Sequence, residues 1–168
     1  MANKKMLVVY YSWTNGNTEK VAEQLAEACG ADIERIETVE SYPDDYDTVV
    51  RQGKEEVDSG FEPEIESLDA DAADYDVVAV GTPTWWYTMA PAVKTFLGET
   101  DLSGKTVVAF QTNGGWPGHV IDDIEDACEG ATFGPSLEVQ FDSEGGPRQV
   151  TPQREVDAWI EEVRGLIG

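Results

Sequence analysis

The chain has 168 residues, 34 of them acidic and 11 basic, for a net charge of −23 with its single histidine neutral. That balance argues against nucleic acid and anionic membrane as partners, while the length suits a single domain, 1–168, with a substantial core. Two separated cysteines, Cys29 and Cys128, and one histidine, His119, offer no metal-ligand spacing. Each cysteine falls on the apolar face of a predicted helix, which fits buried thiols in a reducing cytoplasm. Lys4-Lys5 leads into an apolar run too short for a signal peptide.

The run Met6-Leu7-Val8-Val9-Tyr10-Tyr11 is continuously apolar and rich in β-formers, the pattern of a central parallel strand buried on both faces. The polar loop Ser12-Trp13-Thr14-Asn15-Gly16-Asn17-Thr18 follows. Behind it Val21, Ala22, Leu25, Ala28 and Cys29 recur at helical spacing opposite Glu19, Lys20, Glu23, Gln24 and Glu27. A loop between a strand's carboxyl end and a helix start can hold an anion on converging N–H groups, helped by the helix dipole. It is equally the pattern of an ordinary turn with Asn17 as N-cap.

Asp32 to Glu37 alternates as a short edge strand, and Tyr46 to Ser59 reads as a helix ended by Gly60. Asp76 to Gly81 and Lys105 to Phe110 are two further buried strands. Val120, Ile121, Ile124, Ala127 and Cys128 trace a helix, Ser136 to Phe141 a last strand, and Thr151-Pro152 the cap and first position of a final helix. Alternating strands and helices with apolar strands predict an α/β doubly wound parallel sheet of about five strands, helices on both faces. From Glu40 to Asp76 there are 14 acidic residues against Arg51 and Lys54. This is either a solvated face, a docking face for a basic partner, or an adaptation to a high-salt cytoplasm.

In such a sheet, ligands bind beyond the carboxyl ends of the strands at the switch in strand order. Three loops leave the most apolar strands there: Ser12 to Thr18, Gly81-Thr82-Pro83-Thr84-Trp85-Trp86-Tyr87, and Gln111-Thr112-Asn113-Gly114-Gly115-Trp116-Pro117-Gly118. Exposed tryptophans call for a flat ligand or an inward packing partner. Gly114-Gly115 permits close backbone approach. A phosphate joined to a flat heterocycle fits these parts. The absence of GxxxxGK[ST] and of GxGxxG disfavours a P-loop nucleotide site and a dinucleotide fold.

The stretch Gly81-Thr82-Pro83-Thr84-Trp85-Trp86, followed by Met89-Ala90-Pro91-Ala92-Val93-Lys94-Thr95-Phe96-Leu97, resembles the flavodoxin-like family, as do Gly16-Asn17-Thr18-Glu19, Thr112-Asn113-Gly114-Gly115 and Tyr42-Pro43 with Asp45-Tyr46-Asp47. The resemblance runs over nearly the whole chain and implies strand order 2-1-3-4-5 with non-covalent FMN. It places Ser12, Thr14, Asn15, Gly16, Asn17 and Thr18 on the phosphate. Pro83, Thr84, Trp85, Trp86 and Tyr87 would meet the ring with Trp85 stacked on it, Thr112, Asn113, Gly114 and Gly115 would offer N–H groups to its pyrimidine edge, and Trp116 would be a second aromatic contact. Two departures from the family pattern stand out. Trp13 and Asn15 fall where hydroxyls are usual, and Trp86 replaces a glycine whose peptide turns toward flavin N5. Positive φ at such a bulky residue is costly.

The resemblance implies a low-potential electron carrier to or from redox partner proteins with a basic docking face. The alternative is an NAD(P)H-dependent FMN oxidoreductase acting on quinones, and a third reading is a flavin-free module using the aromatic cleft for another ligand. No Ser/His/Asp or Cys/His set supports nucleophilic catalysis, and His119 reads as a surface residue at a helix start.

Overall fold

The computed structural model describes residues 4–13, 16–143 and 146–168. Strand β1 (Met6–Tyr10) is buried along its whole length. It leads to α1 (Asn17–Cys29), the edge strand β2 (Asp32–Arg35) and α2 (Tyr46–Ser59). After a 3₁₀ turn at Ala72–Asp74 come β3 (Val77–Trp85), β4 (Thr88–Met89), α3 (Pro91–Glu99) and β5 (Thr106–Asn113). The chain continues through α4 (Val120–Ala127), β6 (Thr132–Phe133), β7 (Leu137–Gln140) and α5 (Gln153–Arg164).

The strands stand in the order β2-β1-β3-β5, and both β6 and β7 pair with β5 in parallel. The two short segments together are the fifth strand, interrupted at Gly134-Pro135-Ser136, where proline cannot donate to the ladder. The expected five-position order 2-1-3-4-5 is therefore present, with its last strand split. A second difference is β4, which turns back antiparallel on the end of β3. The sequence 81–87 reads as a loop, yet β3 runs through it to Trp85.

Period-two alternation sends successive residues of the central strands to opposite faces. Leu7, Val9, Val78, Val80, Val107 and Ala109 meet α3 and α4 residues such as Val93, Phe96, Val120 and Ile124. Met6, Val8, Ala79, Val108 and Phe110 meet Val21 and Leu25 of α1 and Val156, Trp159 and Val163 of α5. Each fully buried Val or Leu contributes about 1.5–3 kcal/mol relative to exposure, so the two-sided sheet is the main source of stability.

Two helix starts differ from expectation. The N-cap of α1 is Gly16 in a left-handed conformation, with Asn17 already inside the helix. Pro152 is the N-cap of α5, and the Thr151 hydroxyl instead accepts from the Gln140 N–H. By contrast α2 has the predicted bounds, capped by Asp45 and ended by Gly60. Among the described residues no helix is long and apolar enough to cross a membrane.

Candidate functional site

Register locates the cleft. Tyr10, the last residue of β1, pairs with Gly81, whereas β3 and β5 continue side by side to Pro83 and Thr112. The chain crosses from the β2 side of β1 to the β3 side at this end, so a crevice opens beyond β1 at the switch point. It measures about 350 Å³.

One end is formed by the start of α1, where Asn17 and Thr18 line the cleft. The Thr18 and Thr112 hydroxyls share a hydrogen bond of 2.8 Å, and Asn17 Nδ2 donates to the Gly146 carbonyl. These contacts tie the α1 start to the ends of β5 and β7. Thr14 and Asn15, expected on a phosphate, lie outside the described residues. Ser12 is buried, and its carbonyl accepts from Arg35, which also pairs with Glu19 at 2.8 Å. Neither Ser12 nor Gly16 is on the cleft wall.

The second wall is the β3–β4 hairpin, contributing Pro83, Thr84, Trp85, Trp86 and Tyr87. Trp85 pairs with Thr88 across a two-residue turn, and Trp86 and Tyr87 both have positive φ, +50° and +71°. Such turns match strand twist but normally recruit Asn or Gly. The left-handed backbone that Trp86 should resist is therefore the one it adopts, and neighbouring contacts hold it there. Trp86 Nε1 donates to the Val50 carbonyl at 2.8 Å, with the Lys54 ammonium 5.8 Å from its ring centre. The Tyr87 carbonyl accepts from the His119 N–H at 2.8 Å. Gly118 packs so closely that a Cβ there would lie 2.2 Å from that carbonyl oxygen. Thr88 donates to Asp123, which also hydrogen bonds His119 Nδ1.

Trp85 is held on several sides. Tyr11 and Tyr42 meet it edge-on, with ring centres 5.9 and 5.1 Å away. A Cβ at Gly53 would come 3.2 Å from its six-membered ring, so glycine lets α2 lie against the indole. Burial pushes the Tyr11 hydroxyl well above the usual tyrosine range. Burial, then the hydrogen bond to Glu56 at 2.6 Å, does the same for Tyr42. Both phenols are protonated at neutral pH.

The third wall is Thr112, Asn113, Gly114 and Trp116, faced by Phe141, Asp142 and Ser143. Gly115 does not line the cleft, and its N–H donates to Asn113 Oδ1 at 2.8 Å. That amide, expected to face a ligand, is engaged within its own turn. Asn113 Nδ2 and Thr84 Oγ1 both donate to Gln111 Oε1, while Gln111 Nε2 reaches the Pro117 carbonyl and Glu138. This buried amide keeps the ends of β3, β5 and β7 in fixed relation.

Several wall residues were not anticipated: Trp13, Tyr46, Val49, Val50 and Gly53, besides Phe141, Asp142 and Ser143. Trp13 and Tyr46 face each other with ring centres 6.1 Å apart. Trp13 was visible within the first loop. The α2 residues carried no signal, because periodicity does not say which strand end a helix crosses. His119 is an exposed helix-start residue outside the cleft lining, tied to the hairpin through its N–H to the Tyr87 carbonyl and through Asp123 to Thr88.

A family model described as Flavodoxin matches residues 5–142. Among solved structures, a flavoprotein candidate from Bacteroides eggerthii DSM 20697 is 28% identical with a TM-score of 0.76, covering 95% of this chain and 97% of that one. A flavoprotein from Lactobacillus acidophilus NCFM, solved in complex with FMN, is 23% identical with a TM-score of 0.70 over 93% and 98% of the two chains. The apo form of an NADH:FMN oxidoreductase is 17% identical with a TM-score of 0.63 over 98% and 90%. The latter two likenesses concern the fold.

Proposed function

Because the chain belongs to the flavodoxin family, the type example of FMN held at such a switch point, we propose that it is an FMN-dependent electron carrier serving partner proteins with a basic docking face. The observation that carries this reading is the cleft itself: seven aromatic side chains and no lysine, arginine or histidine among its described lining residues. Its volume falls within the roughly 300–1,000 Å³ of cofactor sites.

The residues present fit the cofactor. A flat ring system suits the indole and phenol faces of Trp85, Trp86, Tyr87 and Trp116. A phosphate suits the amides and hydroxyl at the α1 start, where Asn17 and Thr18 stand, since a helix N-terminus attracts anions without a cationic side chain. Asp142 and Ser143 suit the hydroxyls of a sugar-alcohol chain better than a phosphate. When bound, FMN supplies the redox chemistry, while the protein sets position and field. Trp85 is pinned by Tyr11, Tyr42 and Gly53, so its ring position is fixed before any ligand arrives.

Negative charge around the cleft disfavours adding further negative charge inside it. Screening confines that effect to nearby acids, among them Asp142 on the wall and Asp45 and Asp47 at the start of α2. The same acids favour a basic partner's approach, with association that slows as salt rises. The reading assigns the protein to the cytoplasm, where Cys29 and Cys128 stay as thiols.

A reductive titration of the FMN-loaded protein against a redox dye, repeated across salt concentrations, tests the proposal. The expected result is a second reduction potential below that of free FMN, with the gap narrowing as salt rises. A potential no lower than that of free FMN would overturn it.

The second reading, an NAD(P)H-dependent FMN oxidoreductase acting on quinones, draws support from exposed rings at the cleft. Tyr46 and Tyr87 are each 53% exposed and Trp116 61%, surfaces able to flank a second flat substrate. The acidic surroundings repel the phosphates of NADPH, which favours the carrier. Saturable turnover of NADPH and a quinone would reverse the ranking.

A further inference from the structure

Behind the cleft, the two tyrosines that immobilise Trp85 are not equivalent. Tyr11 is buried beneath it. Tyr42 lies further out, its ring centre 5.1 Å from that of Trp85, and its hydroxyl donates to Glu56 Oε1 at 2.6 Å. The other carboxylate oxygen, Oε2, accepts from Gln52 at 2.8 Å, which aims Oε1 at the phenol. Glu56 also lines a second cavity of about 370 Å³, nearer the C-terminal end of α2 than the residues that line the cofactor cleft, with Val57, Phe61, Lys94 and Asp126. An indole in the cleft, a phenol in edge contact with it and a carboxylate at a second opening thus stand in line.

That order has a chemical meaning. An oxidised indole can draw an electron from a phenol in contact with it. Oxidation makes the phenol strongly acidic, so the electron leaves readily only where a base within hydrogen-bond reach takes the proton, and roughly 2.6–3.2 Å is that reach. Among the described residues Tyr42 has a carboxylate in that position, while Tyr11 has none. A purely structural hydrogen bond would not need an ionisable acceptor.

We infer that Trp85, Tyr42 and Glu56 form a relay that carries an oxidising equivalent out of the cofactor cleft to Tyr42 and the phenolic proton to Glu56 at the second cavity, sparing Trp85 from permanent oxidation. The inference rests on the FMN reading, and the oxidant is FMN excited by blue light. One electron passes from the Trp85 indole to the excited cofactor. One electron then passes from Tyr42 to Trp85, restoring the indole, as the phenolic proton moves to Glu56 Oε1. A soluble thiol returns a hydrogen atom to the Tyr42 oxygen and Glu56 releases its proton to water. In sum, the thiol is oxidised by one electron, the cofactor keeps that electron, and one proton enters solvent.

The test is laser-flash absorption, with electron paramagnetic resonance after freezing, on FMN-loaded protein under anaerobic conditions. FMN binding is first measured by fluorescence quenching. The wild type should form a tyrosyl radical as the tryptophan signal decays, more slowly in deuterium oxide. Tyr42→Phe should leave the tryptophan signal long-lived and abolish the tyrosyl signal. Glu56→Gln keeps the phenol but removes its base, and should slow tyrosyl formation by about a hundredfold, the order expected of a positioned base. Prolonged illumination should oxidise Trp85 faster in both variants, read by peptide mass spectrometry. A tyrosyl signal that survives Tyr42→Phe, or one whose rate is the same in Glu56→Gln and unaffected by deuterium, would overturn the relay. Failure of the wild type to quench FMN would overturn the cofactor reading, a separate result.

Discussion

Two turns border the cleft, and they are built on opposite terms. At the end of β5, Asn113-Gly114-Gly115 uses glycine at φ +117° and a side-chain hydrogen bond from the turn to itself. At the end of β3, Trp86 and Tyr87 take left-handed backbone without glycine. A left-handed conformation costs an L-residue about 1–2 kcal/mol. The first turn minimises backbone cost and presents little side chain, whereas the second accepts the cost and presents two large rings. Where a chain tolerates strain that glycine would remove, the side chains are what the position is for.

The contrast breaks most severely at Gly118, the floor beneath the strained turn. Gly118→Ala would place a methyl group 2.2 Å from the Tyr87 carbonyl oxygen at a residue whose own φ is +61°. We expect a loss of about 2–4 kcal/mol in urea unfolding and weaker FMN binding, because the turn must move.

A smaller effect tests the strain directly. Tyr87→Gly should stabilise the apo protein by about 1 kcal/mol, since glycine removes the left-handed penalty. Trp86→Gly should give no gain, because it forfeits the hydrogen bond to Val50, worth about 1 kcal/mol. Equal destabilisation by both changes would show that the turn holds no strain. Both should weaken FMN binding, measured by fluorescence titration, if these rings meet the cofactor.

The smallest effect concerns the helix against which the turn leans. The Thr48 hydroxyl and N–H both donate to Asp45 and hold its carboxyl below the usual range. A depressed folded-state pKa means this contribution is complete above the ordinary aspartate pKa and is lost as pH falls through the lower, folded value. Hydrogen-exchange protection of the first turn of α2 should therefore decline in acid in the wild type. In Asp45→Ala it should be low and flat throughout.

Much of this architecture is legible in the residues. The apolar runs from Met6 and Asp76 mark buried strands because two-sided burial leaves no polar alternation, and Gly60 marks the end of α2. The hairpin was hidden because Pro83 argues against a strand interior and Trp86-Tyr87 lacks the Asn or Gly of a two-residue turn. The break at Gly134-Pro135 was hidden because Thr132-Phe133 is too short to show a period. At the site, the loops that follow strands were readable from composition. The contribution of α2 was not, since Val49, Val50 and Gly53 resemble any half-buried helix face until the helix is placed.

The split fifth strand also bears on how this protein behaves in company. A sheet edge is an open template on which another chain can add a strand. Here one edge, β2, is four residues long and carries Asp32, Glu34 and Arg35, and the other is cut into pieces of two and four residues by Gly134-Pro135-Ser136. Neither edge offers a neighbour more than a few consecutive backbone partners. A concentrated solution of this protein is thus guarded twice against sheet-to-sheet aggregation, by mutual repulsion at −23 and by edges too short to template.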